Sequence, residues 1–306
     1  MHDHGASGRR AAGNHANQRR LGIALALAAS YMVAEVIGGL LTGSLALLAD
    51  AGHMLSDVFA LAMSAIAIHI SQRPPTPSRT YGYYRTEILA ALGHGVLLVC
   101  VSVAIFLEAW RRLGEPHEVA GGPMAFIAAG GLLVNLIGLA VLNAGKQESL
   151  NVRGAWLHVL SDALGSAGAL AAAAAIWAFG WIWADTAASV AIGLLVVHSS
   201  WALLRETLDI LMEGAPAHID VTEIHRSIAG LPGVHAVHDL HVWTITSGMV
   251  ALSGHVVVID GEPHGRLLQT ICDRLHGDFG IEHSTIQIEP TSFEERGSVC
   301  SDAPPV

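Results

Sequence analysis

Long apolar runs separated by short polar breaks fill the first two thirds of this chain. Six runs stand out, at 21–41, 45–70, 86–110, 123–143, 152–179 and 182–204. Each meets the roughly 20 residues that an α-helix needs to cross a hydrocarbon core. The sixth is expected to continue as a polar helical extension through 205–211. Thr42-Gly43-Ser44 and Gly180-Trp181 read as tight hairpins at the membrane surface. Past Gly214-Ala215-Pro216 the pattern shortens. Residues 220–230 read as a short helix closed by Gly230 and Pro232, 236–246 and 250–260 as strands around Ser247-Gly248, 263–277 as an amphipathic helix and 284–289 as a last strand. The order α-β-β-α-β predicts a small ferredoxin-like α+β unit. The fold class is therefore a mainly α membrane protein: six transmembrane helices plus a small C-terminal α+β domain. The boundaries follow: a tail at 1–20, a membrane domain at 21–211, a cytosolic domain at 212–290 and a C-terminal tail at 291–306.

Composition supports that reading. Of 306 residues, 52% are hydrophobic and 14% charged, where a soluble domain carries about a quarter charged. Basic residues set the orientation. Arg9, Arg10, Arg19 and Arg20 precede span one, Arg73, Arg79 and Arg85 lie between two and three, Lys146 and Arg153 between four and five, and Arg205 ends six. The other side has Arg111 and Arg112, so both termini are expected in the cytoplasm. From Met212 onward thirteen Asp/Glu face four Lys/Arg, a balance that argues against a nucleic-acid partner. Cys100, Cys272 and Cys300 have no paired spacing, which fits a reducing cytosol. The first apolar run is too long for a cleavable signal peptide.

Inside the apolar runs one polar pattern occurs twice. His53-Met54-Leu55-Ser56-Asp57 and His158-Val159-Leu160-Ser161-Asp162 place a His and an Asp four residues apart, on one face of a helix. Two such helices packed face to face supply a four-ligand N2O2 shell suited to tetrahedral zinc. Spans two and five run antiparallel, the geometry of a midplane transport site. Two aspartates with two neutral histidines hold a charge that one divalent ion cancels. Protonating both histidines cancels it equally well, so metal/proton antiport is expected. Asp50 lies one turn from His53 and suits either an outer position at the site or a carboxylate favoured by the helix dipole. Glu35 and Asn135 suit helix–helix hydrogen bonds. His238 and His241, three apart, should point to opposite faces of a straight strand, whereas His283, Gln287 and Glu289 share one. The terminal His2, His4 and His15 fit a solvated tail better than a metal site.

These motifs resemble the cation diffusion facilitators, in the branch of bacterial efflux proteins and mammalian zinc transporters. The carrying segments are EVIGGLLTGSLALLADAGHMLSD (35–57), TYGYYRTEILAAL (80–92), LNVRGAWLHVLSDALG (150–165), HDLHVW (238–243) and HSTIQIEP (283–290). The resemblance implies a homodimer of six-span protomers whose cytosolic domains meet, bind metal and dimerise. It implies alternating-access exchange of metal for protons, with His53, Asp57, His158 and Asp162 as transport ligands. Zinc is then substrate and regulatory ligand rather than cofactor, and the setting is a bacterial inner membrane; the N2O2 shell itself leaves the choice among zinc, cadmium, cobalt and nickel open. The resemblance also maps cytosolic ligands onto His238, His255 and Glu289, and an interfacial one onto His283. One departure concerns the loop 71–85, which has no His or Asp where several relatives place metal ligands. An intramembrane zinc hydrolase is the rival from another class, but a hydrolytic zinc keeps an open water position that four matched ligands close. A membrane metal sensor without transport is the other.

Overall fold

The computed structural model describes residues 4–115, 117–143, 150–259 and 263–293, with the backbone alone at 4–18, 68, 150, 151 and 154. Lys146, Cys300, the His2 position and the tail beyond 293 lie outside the described residues. Among those described, six long helices come first: α1 (His4–Thr42), α2 (Leu45–Ser71), α3 (Thr86–Gly114), α4 (Gly121–Asn143), α5 (Leu150–Phe179) and α6 (Trp183–Leu211). All six are long and apolar enough to cross a membrane, α1 from Arg19 and α5 from Ala155. Leu41, Phe126 and Trp177 are 81%, 83% and 77% exposed, and faces of this kind need lipid rather than water.

The segment expected as a tail is helical, since α1 starts at His4 rather than near Leu21. Ala6, Ala11, Ala12, Ala16 and Gln18 are strong helix formers, and they extend a helix that the apolar span has already nucleated. The hairpins fall where the glycines predict. Gly43 and Gly180 both sit at φ 69°, a left-handed conformation that favours a residue without Cβ.

Contacts divide the chain into two compact units. One holds the chain up to Met63 together with Gly93–Ala202, and the other holds Ser64–Leu92 with the chain from Leu203 onward. In the first unit α4 packs along α1 and α5. Small residues allow this: α4 buries Gly121, Ala128, Gly131 and Gly138 at helical spacing, and Ala169, Ala172 and Ala173 of α5 join the same core. Close backbone approach by small residues is how helices associate without a hydrophobic driving force.

One end of this unit is fastened by charge. Asp185 at the start of α6 is fully buried. It accepts from Ser44 Oγ at 2.6 Å and from the backbone N–H groups of Leu45 and Ala46 at 2.7 and 3.2 Å, capping α2 from another helix. Arg112 of α3 pairs with Asp185 at 3.3 Å and donates to the Gly43 carbonyl at 2.8 Å. Glu108, one turn back, holds both Arg111 and Arg112 at 3.0 and 3.1 Å. Beside the α5–α6 turn, Phe179, Trp181 and Trp183 stack with centroids 5.1 and 5.7 Å apart, as interfacial aromatics do.

The second unit contains the α+β domain. It runs α7 (Val221–Ala229), β1 (Val234–Thr246), β2 (Met249–Val258), α8 (His264–Phe279) and β3 (His283–Pro290), the predicted order with no boundary shifted by more than two residues. Asp220 caps α7 by accepting from Thr222 and Glu223 N–H. The sheet order is β1-β2-β3, with β1 antiparallel and β3 parallel to β2. Ile224 and Ile228 of α7 and Leu267, Ile271 and Leu275 of α8 cover one sheet face, meeting Val237, Val242, Leu252 and Val256. Within the same unit Glu87 accepts from the Thr246 and Ser247 hydroxyls at 2.7 and 2.9 Å, and Arg85 pairs with Glu213 at 3.0 Å.

Val237 and Val242 are an odd number of residues apart, yet both reach the core. A regular strand forbids that. β1 solves it with a bulge: His238 lies opposite His255, but His241 lies opposite Ser253, and Asp239 takes φ 49°. The extra residue changes the phase of the strand, and the opposite faces expected for His238 and His241 are thereby corrected. Both lie on the face away from α7 and α8, beside His255.

Candidate metal-transport site

The first unit brings the paired motifs together. His53 and Asp57 sit in the N-terminal half of α2, and His158 and Asp162 in the N-terminal half of α5. His53 Nε2 lies 3.8 Å from an oxygen of Asp57 and 3.8 Å from one of Asp162. His158 Nε2 lies 3.3 Å from Asp57 Oδ2 and 3.7 Å from Asp162 Oδ2. The two imidazoles meet edge to face at 5.8 Å. Donor atoms of His53, His158 and Asp162 fall within 4.8 Å of one another, close enough to share an ion.

Those separations suit zinc. Ligands at about 2.0–2.1 Å from a tetrahedral ion stand about 3.3 Å from each other, and the four His–Asp separations come within half an ångström of that, whereas Asp57 stands outside the trio already gathered within 4.8 Å. Asp57 Oδ2, Asp162 Oδ1 and His53 Nδ1 are buried with no hydrogen-bond partner among the described residues. Buried polar atoms are rarely left so, and a cation answers two oxygens of opposite helices at once.

Around this quartet lies a polar seam. Asp50, 3% exposed, accepts from Ser166 Oγ of α5 at 3.2 Å, and Asn135 of α4 donates to the same hydroxyl at 3.2 Å. Asp50 therefore joins α2 to α5. Glu35 of α1 is 1% exposed, and the Tyr31 hydroxyl donates to the Ile127 carbonyl. The helix-joining role expected for Asn135 is what its side chain performs.

One residue escaped the sequence argument. His94 of α3 places Nε2 3.7 Å from Asp57 Oδ1. It has no i,i+4 carboxylate in its own helix, so the repeat that exposed the other four could not expose it. Its signal was an imidazole inside an apolar span.

The second unit assembles another cluster, on the open face of the sheet. Glu289 meets His238 Nε2 at 3.1 Å and His255 Nδ1 at 2.9 Å, and the two rings stand 5.1 Å apart. These three can share an ion. The bulge adds Asp239, 3.7 Å from His255 and 3.0 Å from His241. His283 is not gathered in. It lies six residues from Glu289 along β3, about 20 Å in an extended strand, and packs against Tyr81 with centroids 5.6 Å apart.

With this geometry, likeness to known proteins becomes decisive. The cation efflux transmembrane domain matches residues 21–212, and the cytoplasmic domain of cation efflux proteins matches 216–291. The chain is a cation diffusion facilitator. This facilitator is 45% identical over 280 residues to the metal cation efflux system protein CzcD of Cupriavidus metallidurans, spanning 91% of this chain and 89% of that one. It is 44% identical over 289 residues to the cadmium, cobalt and zinc/H(+)-K(+) antiporter of Bacillus subtilis, spanning 93% of each. It is also 44% identical over 275 residues to the zinc transporter ZitB of Escherichia coli, spanning 89% and 88%. Among solved structures, the metal-bound C-terminal domain of the CzcD transporter is 39% identical, covering 23% of this chain and 99% of that one with a TM-score of 0.23. The facilitator is thus a multi-pass membrane protein of a transporter family, with the six-helix and α+β organisation that its hydropathy predicted.

Proposed function

We propose that this facilitator exports zinc from the cytoplasm in exchange for protons, with His53, Asp57, His158 and Asp162 as the transport shell. The observation that carries the proposal is the convergence of two His/Asp pairs from α2 and α5, with donor atoms 3.3–3.8 Å apart. Four ligands from two helices close around the ion. Parting the two helices on either side opens the shell there, which is what alternating access requires. Two of the relatives above are named for zinc, one of them for cadmium and cobalt as well. An N2O2 shell accepts those ions too, and we assign them as secondary substrates.

The coupling follows from charge. The metal leaves two carboxylates behind, and in low dielectric they need compensation. Protons taken up by His53 and His158 supply it from the compartment that receives the metal. Both termini then face the cytoplasm of a bacterial inner membrane, and the protein works as a homodimer whose cytosolic domains meet. His238, His255 and Glu289 form a regulatory zinc site there, with Asp239 beside it.

Reconstitution tests this reading. Vesicles holding the purified protein, with an acidic lumen, should take up zinc faster than vesicles with no pH gradient. A protonophore that collapses the gradient should remove the difference. Equal rates with and without the gradient would refute the antiport.

A further inference from the structure

We propose that His94 is a positioning residue that confines the transport shell to small, four-coordinate cations by holding the far oxygen of Asp57. This rests on the assignment of Asp57 as a transport ligand. The two oxygens of Asp57 have different neighbours. The transport imidazoles approach from one side, with His53 3.8 Å and His158 3.3 Å from Oδ2. His94 approaches from α3, with Nε2 3.7 Å from Oδ1. That nitrogen is buried and has no hydrogen-bond partner among the described residues. Closing by less than about 1 Å brings it into hydrogen-bond range of Oδ1, the charged acceptor it already faces.

The consequence lies in how Asp57 can bind. A carboxylate held at Oδ1 offers a metal Oδ2 alone. Released, it can swing and chelate through both oxygens. Zinc gains little from that, because four ligands in a tetrahedron satisfy it. Larger cations take more oxygens in looser geometries and bind carboxylates in either mode. His94 therefore favours zinc over cadmium without touching the ion, as outer neighbours do when they orient a ligand.

The experiment measures zinc and cadmium uptake separately in proteoliposomes at one pH gradient and at subsaturating metal. Wild type, His94→Leu, His94→Gln and Asp57→Ala are compared. Outer-neighbour losses cost about 10–100-fold in metal affinity, so His94→Leu should lower zinc uptake by about tenfold at the low end of that range. Cadmium uptake should fall far less, shifting the ratio towards cadmium. His94→Gln carries an amide N–H where the imidazole Nε2 stood and should restore the wild-type ratio. An unchanged ratio in His94→Leu overturns the proposal, as does an equal loss of both metals, or a glutamine variant that behaves like leucine. Asp57→Ala separates the two levels. Surviving flux there refutes the transport site itself, while lost flux there with an unchanged His94→Leu ratio refutes only the role of His94.

Discussion

Transport here comes down to single oxygen and nitrogen atoms. Removing one carboxylate from the proposed four-ligand shell leaves three ligands and an unbalanced charge, so Asp57→Ala or Asp162→Ala should abolish zinc flux while size-exclusion chromatography still shows the wild-type dimer. His53→Asp exchanges a borderline nitrogen for a hard oxygen with a different reach. It should widen the substrate range towards cadmium, read as a raised cadmium-to-zinc uptake ratio. The four proposed ligands were legible because i,i+4 spacing is a local property that a helix converts directly into a shared face. His94 was not, since its partner Asp57 is 37 positions away in the chain and no spacing rule connects them.

Helices and strands differ in how much of themselves they write into sequence. The spans, hairpins and α7–β3 order were readable from apolar periodicity and glycine placement. The bulge in β1 was not, because it depends on Asp239 adopting φ 49° and on register against β2. A hint existed in Val237 and Val242, which claim one face from an odd spacing. The bulge is testable. Asp tolerates the left-handed region better than β-branched residues do, so Asp239→Val should strain the backbone by about 1–3 kcal/mol. It should also weaken zinc binding to the cytosolic site, measured by competition with a chelating dye. In the membrane unit Asp185→Ala would leave Arg112 with Glu108 as its one counter-charge and uncap α2, a loss of up to about 3–5 kcal/mol, the cost of fully breaking a buried pair. The detergent-solubilised variant should melt well below the wild type.

For the whole protein the dominant fact is the acidity of its C-terminal region, thirteen Asp/Glu against four Lys/Arg from Met212 onward. In a dimer two such domains repel, over about 8 Å at physiological salt. Zinc bound at the proposed site of His238, His255 and Glu289 would offset part of that charge. Spin labels on the two cytosolic domains of the full-length dimer should therefore move closer on adding zinc, and the His238→Ala/His255→Ala double variant should not respond. Because coupling is reciprocal, any state of the membrane domain favoured by this zinc must in turn tighten its binding.

The Glu108–Arg112–Asp185 network has a consequence in time as well as in space. In the proposed orientation Arg112 must cross the bilayer, and its buried partner Asp185 is 73 residues further along the chain. At about 5–20 residues per second, roughly 4–15 s pass before that aspartate is even synthesised. Glu108, one turn back and 3.1 Å away in the finished fold, is synthesised before Arg112 and is expected to serve as its interim counter-charge during insertion. Glu108→Gln should leave the finished transporter nearly as active per molecule while increasing the fraction of nascent chains whose α3–α4 connection fails to translocate, scored by protease protection after pulse labelling.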